Sequence, residues 1–224
     1  MLTQTPSLPH RPAVSQTTGS ASHGLLDQID LMGARMAFAR NVEIYGENEP
    51  ADYVYKVVSG AVRTYKIFDD GRRQIGGFYF PGDIFGLEVG AEHQFSAETI
   101  DKSMVLVVKR SALIALADRD GDIARRLWSF TAAELSRVQK HMLLLSKSAE
   151  KRVACFLLEM AGRLATTEAV ELPMSRQDIA DYLGLTIETV SRTLTHLQTK
   201  AAIALPTSRR IELRNRTALR SLNS

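Results

Sequence analysis

The chain has 224 residues, of which 45% are hydrophobic and 24% are charged, and its formal net charge is +3. This composition is ordinary for a globular protein of one or two domains and excludes wholesale disorder. No stretch approaches the roughly 20 apolar residues of a membrane span, and the single cysteine, Cys155, excludes an intramolecular disulfide and a zinc finger. We therefore expect a cytoplasmic protein that takes no membrane as partner.

The first 24 residues are rich in Pro, Ser and Thr, and they lack the apolar run of a secretory signal. Their prolines prevent a helix, so residues 1–24 are predicted to be a flexible tail. The apolar pattern begins after them at helical spacing, with Leu25, Leu26, Ile29 and Met32.

Short β-like runs follow between turn signals, from about Ala37 to Val108. Gly60 interrupts the run VYKVVSGAVRTYKIF, Asp70-Gly71 is a hairpin signal, and MVLVV (104–108) is typical of a buried strand. Strands at this spacing predict a small antiparallel sandwich or barrel.

A long helix is predicted after Asp120-Gly121-Asp122, with a heptad seam on one face. Such a narrow seam favours one partner helix, most simply the same helix of a second copy, although a helix packed on its own domain is the alternative. The predicted dimer interface consists of Ala124, Trp128, Thr131, Leu135, Val138, Met142 and Leu145.

The next helix is predicted over Ala149 to Leu164, with Val153, Phe156, Leu157 and Met160 facing inward. Cys155 lies within it. No second cysteine or basic cluster is apparent beside it, so an inert buried thiol is favoured over a redox switch.

A helix-turn-helix is predicted from residue 175 onward. Ser175 and Asp178 have the spacing of a capping box, and Gly184-Leu185-Thr186 forms the turn, with Thr186 able to cap the second helix. The first helix has Ile179, Ala180 and Leu183 as its apolar face, and the second has Val190, Leu194 and Leu197.

The outer face of the second helix has the residue types that read bases in a major groove. Glu188, Ser191 and Arg192 share one side at i, i+3, i+4 spacing. Arginine pairs with guanine, glutamate accepts from cytosine, and serine serves several base edges. The alternative is a surface salt bridge between Glu188 and Arg192. Ile187, at the start of this helix, is included among the candidate base contacts.

The net positive charge of the C-terminal end of the chain favours a polyanion as binding partner. Residues 192–224 contain seven basic residues and one acidic residue, a net charge of +6, whereas residues 1–191 carry −3. A solvated basic tail is the alternative. A hairpin of Ile203–Leu205 and Arg210–Leu213 is predicted to be the wing of a winged helix. The candidate phosphate contacts are Arg176, Gln177, Thr186, Thr189, Thr195, Arg209 and Arg210.

From about residue 25 to 224 the chain resembles the Crp/Fnr family of bacterial transcription regulators. YGENEPADYVYKVVSGAVRTYK is similar to the family's β-roll, FPGDIFGLE to the turn that follows it, and IETVSRTL (187–194) to an Fnr-type recognition helix. The resemblance implies an α+β fold with an N-terminal antiparallel β-roll of the cyclic-nucleotide-binding type (25–117), a long dimerisation helix (118–147) and a C-terminal winged helix-turn-helix (148–224).

The same resemblance implies a homodimer that binds double-stranded DNA and touches RNA polymerase. The implied site is a palindrome of TTGA half-sites, TTGAT-N4-ATCAA, in which Glu188 and Arg192 read the G·C pair and Ser191 reads a neighbouring thymine. The loop Asp69–Arg73 is a candidate polymerase contact, or a plain solvated hairpin.

No cofactor is expected. The nucleotide-binding members have an arginine where this chain has Phe95, before Ser96, so we predict no binding of cyclic AMP. The oxygen-sensing members have N-terminal cysteines, and residues 1–40 contain none. These features are similar to the FixK-like subgroup, which controls low-oxygen respiration and nitrogen fixation.

Other functions remain open on the sequence alone. A haem- or small-molecule-responsive sensor is one alternative, and a repressor is another, because activation depends on where the operator lies. A metal-dependent enzyme of the double-stranded β-helix type needs several histidine ligands, and the β region offers only His93, so we expect neither a catalytic site nor a metal site.

Overall fold

A computed structural model describes residues 29–88, 90–166 and 168–222 of the protein. The predicted tail, Leu25 and Leu26 lie outside the described residues. Residues 29–32 are helical, and Ile29 is buried. The described chain consists of a β-rich N-terminal unit, a long helix and a C-terminal unit of short helices.

The N-terminal unit is an antiparallel β-roll of two four-stranded sheets, as predicted. The strands are β1 Ala34–Phe38, β2 Glu43–Tyr45, β3 Tyr53–Ser59, β4 Val62–Ile67, β5 Arg73–Tyr79, β6 Ile84–Phe85, β7 Ser96–Thr99 and β8 Ser103–Lys109. One sheet has the strand order β1-β8-β3-β6 and the other β2-β7-β4-β5. Gly60 separates β3 from β4 at a positive φ of 85°, where a Cβ atom would lie 2.6 Å from the Lys102 carbonyl oxygen, so the turn requires glycine.

Six helices account for most of the rest of the described chain. The longest begins after Asp120, whose carboxylate accepts hydrogen bonds from the backbone of Asp122 and Ile123. It has 25 residues and a length of about 37 Å at 1.5 Å per residue. The helices are α1 Arg110–Arg119, α2 Gly121–Leu145, α3 Ala149–Arg163, α4 Arg176–Leu183, α5 Ile187–Thr199 and α6 Arg216–Ser221.

The wing differs from the prediction in its main strand partner. Strand β10 (Arg210–Glu212) pairs with β9 (Ala169–Glu171), a strand that the sequence analysis did not predict. The expected strand Ile203–Leu205 contributes only a bridge between Ala204 and Glu212. The β9 register places the buried residues Val170 and Ile211 opposite each other, so pairing with β9 places both in the core.

One apolar core joins the β-roll to the C-terminal unit. Phe78 of β5 lies with its ring centroid 6.3 Å from that of Phe156 in α3 and 5.1 Å from that of Tyr182 in α4. All three are buried, and so are Val153, Leu157 and Met160, as predicted for the inward face of α3. These apolar side chains are shielded from water only while the two units are in contact. The hydrophobic effect therefore stabilises the contact between them.

We expect Phe156→Ala to lower the free energy of unfolding by about 3–5 kcal/mol, since it leaves a cavity where three aromatic rings meet. Chemical denaturation followed by circular dichroism measures this loss. Phe68→Ala is the matched control because Phe68 is 44% exposed, and a change within about 0.5 kcal/mol is expected there. Equal losses in the two variants would contradict a shared core at Phe156.

Candidate nucleic-acid interface

The helix-turn-helix forms through local hydrogen bonds at its helix ends. Ser175 and Asp178 make the predicted capping box: the Ser175 hydroxyl accepts from the Asp178 backbone at 3.1 Å, and the Asp178 carboxylate accepts from the Ser175 backbone at 3.0 Å. Gly184 ends α4 in the left-handed region, at φ 60°. The Thr186 hydroxyl then caps α5 by accepting from the backbone of Thr189 at 3.2 Å.

The inner faces of α4 and α5 pack as the sequence predicts. Arg152 of α3 holds the turn between them, because its guanidinium donates to the carbonyl oxygens of Leu183 at 2.8 Å and Gly184 at 3.2 Å. The two helices therefore form one rigid unit with α3. The predicted core residues Ile179, Ala180, Leu183, Val190, Leu194 and Leu197 are all buried.

Glu188 and Arg192 lie exposed on the outer face of α5. They are not among the ion pairs of the described residues, since the Arg192 guanidinium lies 3.5 Å from the Thr189 hydroxyl instead. Hydrogen bonds from its own backbone amide and from Thr186, and then the charge of Arg192, hold the pKa of the Glu188 carboxyl below its usual range. The helix therefore presents an ionised acceptor beside a five-donor guanidinium.

Ser191 and Ile187 are less accessible than Glu188 and Arg192. Ser191 is half-buried, and its hydroxyl accepts from the Arg176 guanidinium at 3.3 Å. Ile187 is half-buried and packs against the core of the C-terminal unit. Two predicted contacts, one to a base and one to phosphate, are therefore bonded to each other in the free protein.

The remaining candidate phosphate contacts differ in exposure and in their hydrogen bonds. Gln177 is exposed and donates to the Asp181 carboxylate at 2.6 Å, while the exposed Thr195 donates to the Ser191 carbonyl at 3.0 Å. Arg210 is exposed and Arg209 is half-buried, both at the wing. Other basic residues of the C-terminal end bond within the chain: Lys200 pairs with Glu150, and Arg214 pairs with Glu212.

Most of the heptad seam of α2 is exposed in the single chain, although Val138 and Leu145 also border a cavity between α2 and the β-roll. Trp128 is 76% exposed, Leu135 57% and Met142 64%, whereas Ile123 and Leu144, off the seam, are buried. Ala124, Thr131 and Val138 are also exposed, and Leu145 is half-buried. The single chain thus leaves a long apolar stripe in water, which is typical of an interaction surface.

A cavity of about 510 Å³ lies between the β-roll and α2, and its lining includes the residue that stands where the nucleotide-binding members have an arginine. Phe95 borders it and packs so closely on Gly76 that a Cβ atom there would lie 2.9 Å from the ring. The charged residues among its described lining are Glu88 and Glu134, and no arginine or lysine is among them.

His93 is fully buried near this cavity and stacks on Tyr45 with the ring centroids 3.6 Å apart. The Glu88 carboxylate lies 3.2 Å from its Nδ1, but the geometry is not that of a hydrogen bond. Within the described residues, no group of three His, Cys, Asp or Glu side chains is placed to hold a metal ion.

The candidate polymerase loop Asp69–Arg73 requires that Arg73 lie on a free hairpin surface. The structure contradicts this for Arg73. Its guanidinium is half-buried and pairs with Asp178 and Asp181 of α4, each at 2.7 Å. Arg63 of β4 pairs with Asp178 as well, at 3.0 Å. Sequence reasoning missed these pairs because it treated Asp178 only as a cap and Arg73 only as a neighbour of the turn.

Two family models match the chain. The Crp-like helix-turn-helix domain matches residues 151–222, and the cyclic nucleotide-binding domain matches residues 35–120. The first covers the capped helices and the wing, and the second covers the β-roll.

The chain is also similar to curated regulators and to a solved structure. It is 53% identical to the nitrogen fixation regulation protein FixK of Azorhizobium caulinodans, over 86% of this chain and 80% of that protein. It is 39% identical to the transcriptional activatory protein AadR of Rhodopseudomonas palustris, over 86% and 82%. The structure of FixK2 from Bradyrhizobium japonicum superposes with a TM-score of 0.83 at 52% identity, covering 86% of this chain and 98% of that one.

Proposed function

Because the chain belongs to the Crp/Fnr family of transcription regulators, in its FixK-like subgroup, we propose that it binds a palindrome of TTGA half-sites as a homodimer and activates genes of low-oxygen respiration or nitrogen fixation. That it is a sequence-specific DNA-binding regulator follows from the family itself. The single observation that supports the proposed half-site is the exposed pair Glu188 and Arg192 on the outer face of α5.

In the proposed complex, α5 lies in the major groove. Arg192 donates to guanine O6 and N7, and Glu188 accepts from the N4 amine of the paired cytosine, so one G·C pair is read from both bases. Ser191 approaches a neighbouring thymine after Arg176 releases its hydroxyl and turns to a phosphate. Ile187 contacts a base edge at the start of the helix, and the other predicted phosphate contacts fix the register.

The exposed seam of α2 supports the homodimer. An isolated helix with Trp128, Leu135 and Met142 in water is unfavourable, and pairing with the same helix of a second copy buries all three. A two-fold dimer presents two recognition helices to successive major grooves, about 34 Å apart, which matches a palindromic site.

The cavity between the β-roll and α2 does not fit a cyclic nucleotide. A phosphodiester needs a cation or several donors, and the charged groups that line this cavity are carboxylates. Phe95 and Gly76 place an aromatic ring against the strand instead. We therefore propose that DNA binding does not require cyclic AMP. Because Cys155 is the single cysteine in the sequence, too few thiolates are present to hold an iron–sulfur cluster, and we propose that none is required. The cavity's volume and apolar lining favour, as second candidate, a regulator that responds to a small uncharged molecule.

The names of the relatives support the proposed role. FixK of Azorhizobium caulinodans is a nitrogen fixation regulation protein and AadR of Rhodopseudomonas palustris a transcriptional activatory protein, which favours an activator over a repressor. We further propose a contact with RNA polymerase, a cytoplasmic location and no catalytic activity. None of the described helices is long and apolar enough to cross a membrane.

Footprinting on a randomised duplex library with no effector added tests the proposed site as a whole. Recovery of paired TTGA half-sites is the expected result. Recovery of unrelated sequences, or of none until a ligand is supplied, would contradict the proposal.

We expect Arg192→Ala to cost about 1–3 kcal/mol of binding free energy on the palindrome and to relax selection at the G·C pair. Arg209→Ala, at the wing, should weaken cognate and scrambled duplexes alike because it contacts phosphate. Fluorescence anisotropy on both duplexes at fixed salt measures the two effects. An equal loss on both duplexes for Arg192→Ala would show that it does not read bases.

We expect a charge within the seam, as in Leu135→Glu, to give a monomer that binds a single half-site weakly, since pairing would bury that carboxylate. Ser129→Glu is the matched control because Ser129 is exposed on the same helix but off the seam. Sedimentation velocity gives the oligomeric state of each variant. A Leu135→Glu protein that stays dimeric would place the interface elsewhere.

We expect isothermal titration with cyclic AMP to show no binding in the micromolar range, because the cavity offers the phosphate no cation. DNA affinity should be equal with and without the nucleotide. A micromolar dissociation constant would overturn this prediction. It would also require the Phe95 side chain to move away from Gly76 of β5.

A further inference from the structure

Four charged residues connect the β-roll to the helix-turn-helix, and we call them the interdomain ion-pair cluster: Arg63, Arg73, Asp178 and Asp181. The Asp178 carboxylate accepts from Arg63 at 3.0 and 3.1 Å and from Arg73 at 2.7 Å, and Arg73 also donates to Asp181 at 2.7 Å. The partners lie more than 100 positions apart in the sequence. Glu98 of β7 holds the other side of Arg63 at 3.0 Å.

Asp178 has two structural tasks at once. Its carboxylate completes the capping box with Ser175, at the start of α4, and it also accepts both arginines of the β-roll. The side chain is 3% exposed, so these partners, and not water, supply its hydrogen bonds. The first turn of α4 is thereby fixed to strands β4 and β5 by directed hydrogen bonds.

The interdomain ion-pair cluster fixes the relative orientation of two units whose other contacts here are apolar. The rings of Phe78, Phe156 and Tyr182 favour association of the two units, but apolar burial alone tolerates small rotations. A forked guanidinium that bonds a buried carboxylate accepts a narrow range of angles. Rotation of the helix-turn-helix on the β-roll would break these bonds before it exposed the aromatic rings.

The chain offers a rigid path from the cluster to both ends of the molecule. On one side, Arg152 fixes α4 to the turn before α5, so the recognition helix moves with α4. On the other side, Arg137 of α2 donates to the Phe78 carbonyl at 3.2 Å and ties the seam helix to β5. The cluster therefore sets the position of Glu188 and Arg192 relative to the α2 seam.

We infer that Arg63 and Arg73 are positioning residues for DNA recognition, which select the spacing between half-sites without touching DNA. This inference rests on the proposed function, because spacing has a meaning only for a dimer on a palindrome. Two-fold symmetry doubles any displacement of one recognition helix, so a small rotation at the cluster changes the separation that both helices fit.

The test compares palindromes whose spacer is the expected length, one base pair shorter or one base pair longer. Arg73→Met removes the bonds to both Asp178 and Asp181 and leaves Arg63 to compensate Asp178, so we expect the protein to keep its core. We expect its preference for the expected spacer to fall about tenfold relative to the unmodified protein. Discrimination against a changed G·C pair within each half-site should stay the same.

Three further variants complete the design. Arg72→Met is the matched control, because Arg72 is the neighbouring arginine, is exposed and has a side chain that pairs only with Asp70 among the described contacts. The spacer preference of the Arg72→Met protein should not change. Asp181→Asn removes the other half of the Arg73–Asp181 pair but keeps the bond from Arg73 to Asp178, so it should reproduce part of the loss even where Arg73→Met folds poorly. Arg73→Lys keeps the charge without the fork and should restore part of the preference.

The outcomes separate the inference from the proposed function. An unchanged spacer preference in folded Arg73→Met and Asp181→Asn proteins would overturn the inference alone. Loss of spacer preference together with loss of G·C discrimination would also overturn it, because the helix-turn-helix itself would then be damaged. Failure of the unmodified protein to prefer any palindrome would overturn the proposed function and the inference with it.

Discussion

The packing of β5 against α3 and α4 is the contact on which the rest of this structure depends. Phe78 packs with Phe156 and Tyr182 in one buried cluster that joins part of the β-roll to the core of the DNA-binding unit, while most of the β-roll interior forms clusters of its own. A conformational change in the β-roll therefore acts on α4 through direct contact. The outer face of α5 takes no part in this packing and stays open to solvent.

Helix α2 separates two kinds of contact on its two faces. One face is committed to its own chain: Ile123 is buried, and Arg137 stacks over the Tyr79 ring at 4.6 Å while it bonds β5. The other face holds the seam. Burial raises the pKa of the neighbouring Tyr79 phenol to about 12, and the Glu134 carboxylate accepts from both Tyr79 and Arg137.

The helix-turn-helix was predictable because its signals are local in the sequence. Its contacts with the rest of the protein were not predictable, because they join residues far apart along the chain. The capping box at Ser175, the left-handed Gly184 and the cap at Thr186 each involve residues at most three apart, so their pattern is visible in the sequence. The seam was equally visible as a heptad period. By contrast, the pairs of Asp178 with Arg63 and Arg73, and the β9 partner of the wing, join residues whose meeting depends on the whole fold. The bond between Arg176 and Ser191 was hidden for the same reason, since it crosses from one helix to the next.

The position of Trp128 has a practical consequence. It is the only tryptophan in the sequence, and three quarters of its surface is in contact with solvent in the single chain. An indole in water emits at longer wavelength than one enclosed by protein, and soluble quenchers such as iodide reach it readily. If two copies pair through the seam as proposed, the emission of the unmodified chain reports that pairing without interference from any other indole, and dilution alone traces the equilibrium between one copy and two.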